Sequence, residues 1–445
     1  MENINCAPAC ALAIDIGASG GRAVAGYMEN GRLVLDEVYK FANEPVKISG
    51  TLYWDILRIY HEITNGIRAA KKAGYNVESI GIDTWGVDYG VIDKRGKLKS
   101  NPVHYRDTRT QGVIWEKEKH YEQYLKTGNI ISAITTVTQL HTESLDPEDK
   151  ILFIPDLLFY FLTGKMTTDR TILATSGLTD FSRVSESALN ESFPLLDDNN
   201  IRAVRVAGHD TASAACIIPP CEPFVISGTW SMMGITLPEP LVNEQSYTHS
   251  FINMAGVNNN ILIKGIAGFF VLQQCRGNNS YEDMEKAASV LPLAEYLIDL
   301  SEPIFGTFCD MPQEIKNYCI KTGQGEPDIS LPGMLARIVY DSLALEYAYT
   351  MESISALLGK QFDNLHIIGG GACDAEFCRT AANATGMRVT AGIKNASAAG
   401  NAAMQLIAHD EIPDIIASSF KPNVYIPDTK QKDFWRMKKC RTQYR

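Results

Sequence analysis

Five short strings in this chain carry residue types able to do chemistry. In DIGASGGR, Asp15 to Arg22, a carboxylate closes a β-favouring run and is followed by backbone amides without side-chain cover. Such amides cradle phosphate oxygens, and the acid is placed to hold hydrated Mg²⁺. A tight hairpin requires the same glycines, so the string reads either as a phosphate loop or as a plain turn. GHDTASA, Gly208 to Ala214, sets a His-Asp pair ahead of small residues that enter a helix, with Thr211 as a cap. Asp210 is then either a base that accepts the proton of a hydroxyl attacking a γ-phosphate, or an acid that only caps the helix. GIDTWGVDYG, Gly81 to Gly90, groups Asp83, Trp85 and Asp88 around Gly86; aromatic faces and carboxylates together meet polyols, although a core position explains Trp85 equally well. SGTWSMMG, Ser227 to Gly234, is a second small-residue loop, and HIIGGGACDAEF, His366 to Phe377, is a strand, glycine turn and helix start suited to a nucleotide. The last is no dinucleotide fingerprint, because Asp374 stands where the third glycine belongs. No P-loop string occurs, since Gly164-Lys165 is followed by Met166.

The elements that must position these residues are α/β in character. Ala11–Ala18, a second run reaching Tyr27, and LVLDEVYKF after the Asn30-Gly31 turn predict an antiparallel meander. Asp55 to Ala73 predicts a helix capped by Asp55, with Ile56, Ile59, Ile63, Ile67 and Ala70 on one face, and Ser79–Thr84 a buried strand. The order β-β-β-α-β differs from a dinucleotide-binding fold. The proline-rich stretch Ile217 to Pro223 is the expected boundary, and a second half opens with a strand of similar character. A long helix runs from about Pro332 to Gly359, followed by a strand at Asn364–Ile368 and by helices from Ala375 and from Ala398 to Ala408. Two α/β lobes with a cleft between them are expected. Their bounds are 11–219 and 220–425, with a basic tail over 426–445 that reads as a solvated helix.

A length of 445 residues with 45% hydrophobic and 21% charged residues excludes a disordered or fibrous chain and fits two or three domains. The formal net charge of −11 argues against a nucleic-acid partner, so phosphate handling has to be local. Ten cysteines are too sparse for a disulfide scaffold, and pairs such as Cys6/Cys10 and Cys216/Cys221 lack zinc-ligand spacing, so reduced thiols and no structural metal are expected. The N-terminal apolar run is broken by Asp15, and Ile151–Leu162 falls short of the roughly 20 residues a membrane span needs. A cytoplasmic location without a membrane partner follows as the expectation; the oligomeric state is not fixed.

Taken in order, AIDIGASGGR, GIDTWGVDYG, PVHYRDTRT, PDLLFYFLTGK, GHDTASA, SGTWSMMG and HIIGGGACD resemble the FGGY carbohydrate kinases over nearly the whole chain. HDTASA with GIDTWGVD resembles the branch acting on L-rhamnulose. The resemblance implies two actin-like, ribonuclease-H-like lobes, ATP and Mg²⁺ as cofactors, and transfer of the γ-phosphate to the 1-hydroxyl of L-rhamnulose or a related ketose. It implies Asp210 as catalytic base, with Gly86 and His209 as sugar contacts beside Asp83, Trp85 and Thr211. Ala18, Ser19, Gly20, Gly21, Arg22 and Thr229 would hold phosphates, Gln273 and Gly370 lie near the nucleotide, and Asp15 is similar to the acid that organises Mg²⁺. Gly265, Asp374 and Asn395 depart from the family pattern, the segment Phe181–Val206 is compressed, and Ile131–Thr136 lacks the expected pattern. These departures motivate an alternative, a sugar-binding regulator derived from such a kinase. An NAD-dependent oxidoreductase rests on the Gly369–Gly371 turn alone.

Overall fold

The computed structural model describes residues 8–293 and 295–442. The chain divides into two units, each with its own sheet. The first comprises residues 1–219, 236–262 and 396–419, and the second comprises 220–235, 263–395 and 420–445. The chain passes from the first unit to the second between Pro219 and Pro220. The linear division at 219 leaves out two later segments, however, and the more important is the helix Ala396–Leu406.

In the first unit, Ala9–Gly17, Gly20–Glu29 and Arg32–Ala42 form the antiparallel meander, and Asn76–Thr84 and Arg202–Val204 join in parallel on the other side of the first strand. The order is third, second, first, fourth, fifth, with Ser192–Pro194 at the edge, which is the ribonuclease-H-like arrangement. The first strand is buried on both faces, as its nearly unbroken apolar run requires. On one face lies the helix Ile56–Lys72, whose Asp55 side chain accepts from the Arg58 amide at 3.1 Å as the sequence predicts. On the other face lies Ala396–Leu406, where Ala398 and Ala402 pack on Ala13 and Val24.

Small residues make that second packing possible. A Cβ on Gly26 would stand 2.7 Å from Ala402 Cβ, and one on Gly81 would stand 2.3 Å from Asn401 Oδ1. A Cβ on Gly400 would come within 1.7 Å of the Ser213 carbonyl oxygen, part of the helix Asp210–Ala215. Backbone cannot yield as a flexible side chain can. Gly400→Ala is therefore expected to push the two helices apart at a cost of about 3 kcal/mol. A thermal midpoint equal to that of the unaltered protein would contradict this.

In the other large sheet, Asn260–Ile266, Ser231–Leu237, Pro223–Ser227, Asn364–Ile368 and Arg388–Ala391 repeat the same strand order. The strand Ser231–Leu237 is antiparallel to Pro223–Ser227, and the later two run parallel to it. The long helix Pro332–Leu358 ends at Gly359 with φ 62°, as predicted. The basic tail differs from expectation. Lys432–Thr442 is helical, yet Trp435 is buried and Lys438 Nζ donates to the Glu295 carbonyl at 3.1 Å, so the helix is docked rather than solvated all round. Residues 443–445 of the predicted tail, and Cys6, lie outside the described residues. Eight cysteines are described as free thiols. Among the described residues no helix is long and apolar enough to cross a membrane.

Candidate active site

Strand alternation decides where the acids of the first unit go. Asp15 lies two residues beyond Ala13 and Asp83 two beyond Gly81, so both carboxylates share the face covered by Ala396–Leu406. The two strands are parallel with Asp15 opposite Asp83, which sets the acids side by side at the carboxyl ends. Asn401 donates its Nδ2 to Asp83 Oδ2 at 2.6 Å, across a separation of 318 residues. Asp83 Oδ1 is buried, and the Asp83 and Asp15 carboxyls share a side-chain hydrogen bond. Arg22 Nε, on the adjacent strand, lies 3.3 Å from Asp15 Oδ2.

The third acid arrives by continuation of the same sheet. Beyond Arg202–Val204 the chain stays beside the fourth strand, where Thr84 bridges His209 and its amide donates to the Gly208 carbonyl at 2.8 Å. The Gly208 amide donates to Asp169 Oδ2 at 3.1 Å and the His209 amide to Thr171 Oγ1 at 3.3 Å, anchoring the loop from below. A Cβ on Gly208 would meet Asp169 Oδ2 at 2.5 Å, which accounts for the glycine. The helix then begins at Asp210 with His209 as N-cap, not Thr211 as predicted; the Thr211 hydroxyl donates to Asp210 Oδ1 at 3.2 Å instead.

Accessibility separates the three acids. The Asp210 side chain keeps 31% of its surface, whereas Asp15 is 8% exposed and Asp83 fully enclosed. Burial raises Asp210 to about 6 against the stabilising contacts of Thr211. Burial likewise raises Asp15 to about 6; Arg22 opposes the rise and Asp210 adds to it. Asp83 is pushed well above the ordinary carboxylate range by burial and then by Asp15. Burial lowers His209 to about 4, so its imidazole is neutral near pH 7, with Nε2 3.5 Å from Asp210 Oδ1 and Nδ1 buried without a partner.

The predicted phosphate loop is the hairpin turn Ala18-Ser19, with Gly17 paired to Gly20. Its glycines also have a packing reason. A Cβ on Gly21 would stand 2.2 Å from the Phe41 ring, and one on Gly20 3.0 Å from the Phe41 carbonyl oxygen. Beside the hairpin opens a groove of about 490 Å³ lined by Ser19, Gly20, Gly21, Arg22, Lys40 and Phe41. The groove joins bare backbone to two cationic side chains, a setting for phosphate oxygens. Trp85 is buried, while Gly86 and Val87 are the half-exposed residues of their loop.

Thr229, Gln273 and Gly370 belong to the second unit. Thr229 is exposed on the loop after Pro223–Ser227, and its carbonyl accepts from the Phe270 amide at 2.8 Å. Gln273 is exposed on the helix Phe269–Cys275 that this contact begins. Gly370 is exposed in the turn after Asn364–Ile368, where Gly369 has φ 87° and both Gly369 and Gly371 leave no room for a Cβ against Ser227. At the helix start Ala375–Thr385 the first amides are met by carboxylates of the chain itself. Asp374 Oδ1 accepts from the Phe377 amide at 2.8 Å, and Glu285 Oε1 accepts from the Ala375 and Glu376 amides at 3.0 and 3.3 Å. Tyr340 donates to the other oxygen of Asp374. Gly265 is exposed on its strand and leaves the nearest side chain, Met232, at van der Waals distance.

Sequence reasoning did not assign roles to Asn401, Asp169, Trp54 or Gln139, all of which hold site residues in place. Nothing in the sequence near Asn401 indicates that Asp83 is its partner.

Comparison with known proteins yields concordant matches. Residues 10–186 match the family model of the N-terminal domain of the FGGY family of carbohydrate kinases, and residues 224–409 match that of its C-terminal domain. The chain is 34% identical to a rhamnulokinase of Bacteroides thetaiotaomicron, with 91% of this chain and 92% of that protein covered. It is 32% identical to a rhamnulokinase of Bacillus subtilis, with 93% and 95% covered. Among solved structures, a ligand-bound xylulose kinase from Lactobacillus acidophilus superposes with a TM-score of 0.76 at 14% identity, covering 97% of each chain. A Plasmodium falciparum glycerol kinase with ADP also gives 0.76, at 16% identity and coverage of 98% of this chain and 99% of that one. These two likenesses concern the fold.

Proposed function

Because the chain belongs to the FGGY family of carbohydrate kinases, we propose that it transfers the γ-phosphate of ATP to the 1-hydroxyl of L-rhamnulose or a closely related ketose. The observation that carries the reading is Asp210: a partly accessible carboxylate at the carboxyl ends of the sheet strands, beside Asp15 and Asp83 and ahead of a helix that fixes its backbone. As the ketose hydroxyl attacks, Asp210 accepts its proton, and the neutral His209 lies beside it with Nε2 3.5 Å from Asp210 Oδ1. Gly86 forms part of the sugar surface with the buried Trp85 supporting it, and Thr211 and Asp83 fix the acids behind it. Residues Ala18 to Arg22, Thr229, Gln273 and Gly370 serve the nucleotide.

The residues present fit Mg²⁺. This ion takes one or two carboxylates and completes its shell with water and substrate phosphates. Among the described residues no group of three or more His, Cys, Asp or Glu would hold a cation unaided. Asp15, with Asp83 beside it on the paired strand, would hold it. When bound, Mg²⁺ neutralises charge on the transferring phosphates.

ADP release measured over a panel of ketoses with Mg²⁺ATP tests the assignment. L-rhamnulose is expected to give the highest kcat/KM, and absence of turnover with every ketose would overturn it. A pH dependence follows. Asp210 works deprotonated and burial raises it to about 6, so activity is present above that value and lost as pH falls through it. Asp15 titrates in the same range, so the acid limb belongs to the pair. A kcat/KM profile still flat down to pH 4.5 would contradict the assignment.

A further inference from the structure

One buried carboxylate in the first unit takes no part in the chemistry above, yet it organises the loop that carries Trp85 and Gly86. Asp88 is fully enclosed. Its Oδ2 accepts the indole N–H of Trp54 at 2.6 Å, that of Trp85 at 3.0 Å and the Tyr105 amide at 3.2 Å, while Oδ1 accepts Gln139 Nε2 at 3.0 Å. The two indoles lie with ring centroids 4.1 Å apart, and His104 stacks on Trp54 with centroids 4.1 Å apart. Asp88 thus fastens two aromatic rings by their polar edges and leaves their positions no freedom.

A second observation concerns the backbone between Trp85 and Asp88. Val87 has φ 68°, a conformation that a β-branched residue adopts only when its surroundings impose it. The impositions are visible. The Val87 amide donates to Thr175 Oγ1 at 3.0 Å, its carbonyl accepts from Thr136 Oγ1 at 2.6 Å, and Gly86 lies so close to Thr175 that a Cβ would stand 2.8 Å from its hydroxyl. Gln139, which serves Asp88, also donates to the Ile134 carbonyl at 2.8 Å and accepts from Arg109 Nη2 at 2.7 Å. Strain of this kind persists where a loop must present a fixed surface.

We propose that Asp88 is a positioning residue for sugar recognition: by clamping Trp54, Trp85 and Gln139 it holds the Trp85–Val87 backbone in the one conformation that offers Gly86 to the ketose. The proposal rests on the reading of Gly86 as a sugar contact. The carboxylate is suited to the task because it only accepts, and all four of its neighbours donate. An asparagine in its place must turn either its amide or its carbonyl toward Gln139. With the carbonyl kept on the indoles, the amide meets the Gln139 amide, donor against donor. Rotating the Gln139 side-chain amide would instead set its oxygen against the Ile134 carbonyl and its nitrogen against Arg109.

The test compares ketose binding and nucleotide binding in the same full-length protein by calorimetry, with the thermal midpoint recorded. Asp88→Asn is expected to weaken L-rhamnulose binding about tenfold or more, the consequence of leaving a buried donor unpaired, while ATP binding stays within about threefold. Trp54→Phe removes one donor from a residue that is itself fully buried, and is expected to weaken the sugar in the same direction by a smaller factor. Because Trp54→Phe keeps an aromatic ring in the core, it serves should Asp88→Asn fail to fold. Unchanged sugar affinity in both variants would overturn the proposal, as would parallel loss of sugar and ATP binding with a lowered midpoint. Sugar binding by the unaltered protein without phosphorylation would contradict the kinase reading and leave this comparison decisive. Absence of binding for any ketose would remove the sugar surface and the proposal with it.

Discussion

Asp210→Asn is expected to lower kcat by about 10³ to 10⁴-fold, at the upper end of what a positioned general base contributes. Ketose binding should stay within about threefold, since an amide of the same shape keeps its hydrogen-bonding reach. The reason lies in the loop rather than in the residue alone. Asp169 and Thr171 hold the Gly208 and His209 amides, so the backbone at position 210 is fixed whichever side chain it carries. The Thr211 hydroxyl can still donate to the Asn carbonyl oxygen. What the amide lacks is the capacity to take a proton. Steady-state kinetics beside sugar calorimetry check the split; loss of binding equal to the loss of turnover would identify Asp210 as a binding group, and full activity would remove it from the mechanism.

Asp15→Asn should separate activity from stability in opposite directions. Turnover is expected to fall about 10² to 10³-fold, the scale of removing one group that stabilises charge on a transferring phosphoryl group. The thermal midpoint is expected to hold or rise. Burial lifts both Asp15 and its neighbour Asp83 above the ordinary carboxylate range, and like charge adds to each rise, from Asp210 at Asp15 and from Asp15 at Asp83. Acids held together in this way cost stability, and neutralising Asp15 relieves the repulsion on both sides. Arg22 loses a partner at 3.3 Å but keeps Glu37 at 3.7 Å and remains partly exposed. Active sites commonly trade stability for function. A lowered midpoint together with lost turnover would point to a structural acid instead.

What could be read from the sequence was local. The meander, the Asp55 cap, the long helix ending at Gly359 and the acid at each strand end all follow from signals within a few residues. Relations created by packing could not be read. Asn401 meets Asp83 only because a helix late in the chain returns to the first sheet, so a division by chain order assigned it to the other half. Gly20 and Gly21 suggested phosphate binding, and the structure adds that Phe41 lies over them, a reason that depends on the register of the third strand. The acid in Asp374 stood out as a departure; its cause is a Tyr340 hydroxyl and a helix amide that it satisfies together. Asp88 was grouped with Trp85 by proximity, but its four donors come from four separate segments.

The reaction proposed for the chain is transfer of a phosphoryl group from ATP to the C1 hydroxyl oxygen of a ketose, with Asp210 as the acceptor of the hydroxyl proton. Phosphorus NMR of a reaction containing the purified protein, Mg²⁺ATP and L-rhamnulose tests it most directly. The account predicts a new phosphomonoester resonance split by the two C1 methylene protons, growing as the γ-phosphate signal falls, and absent with Asp210→Asn. Inorganic phosphate as the sole product, or a monoester on another carbon, would contradict it.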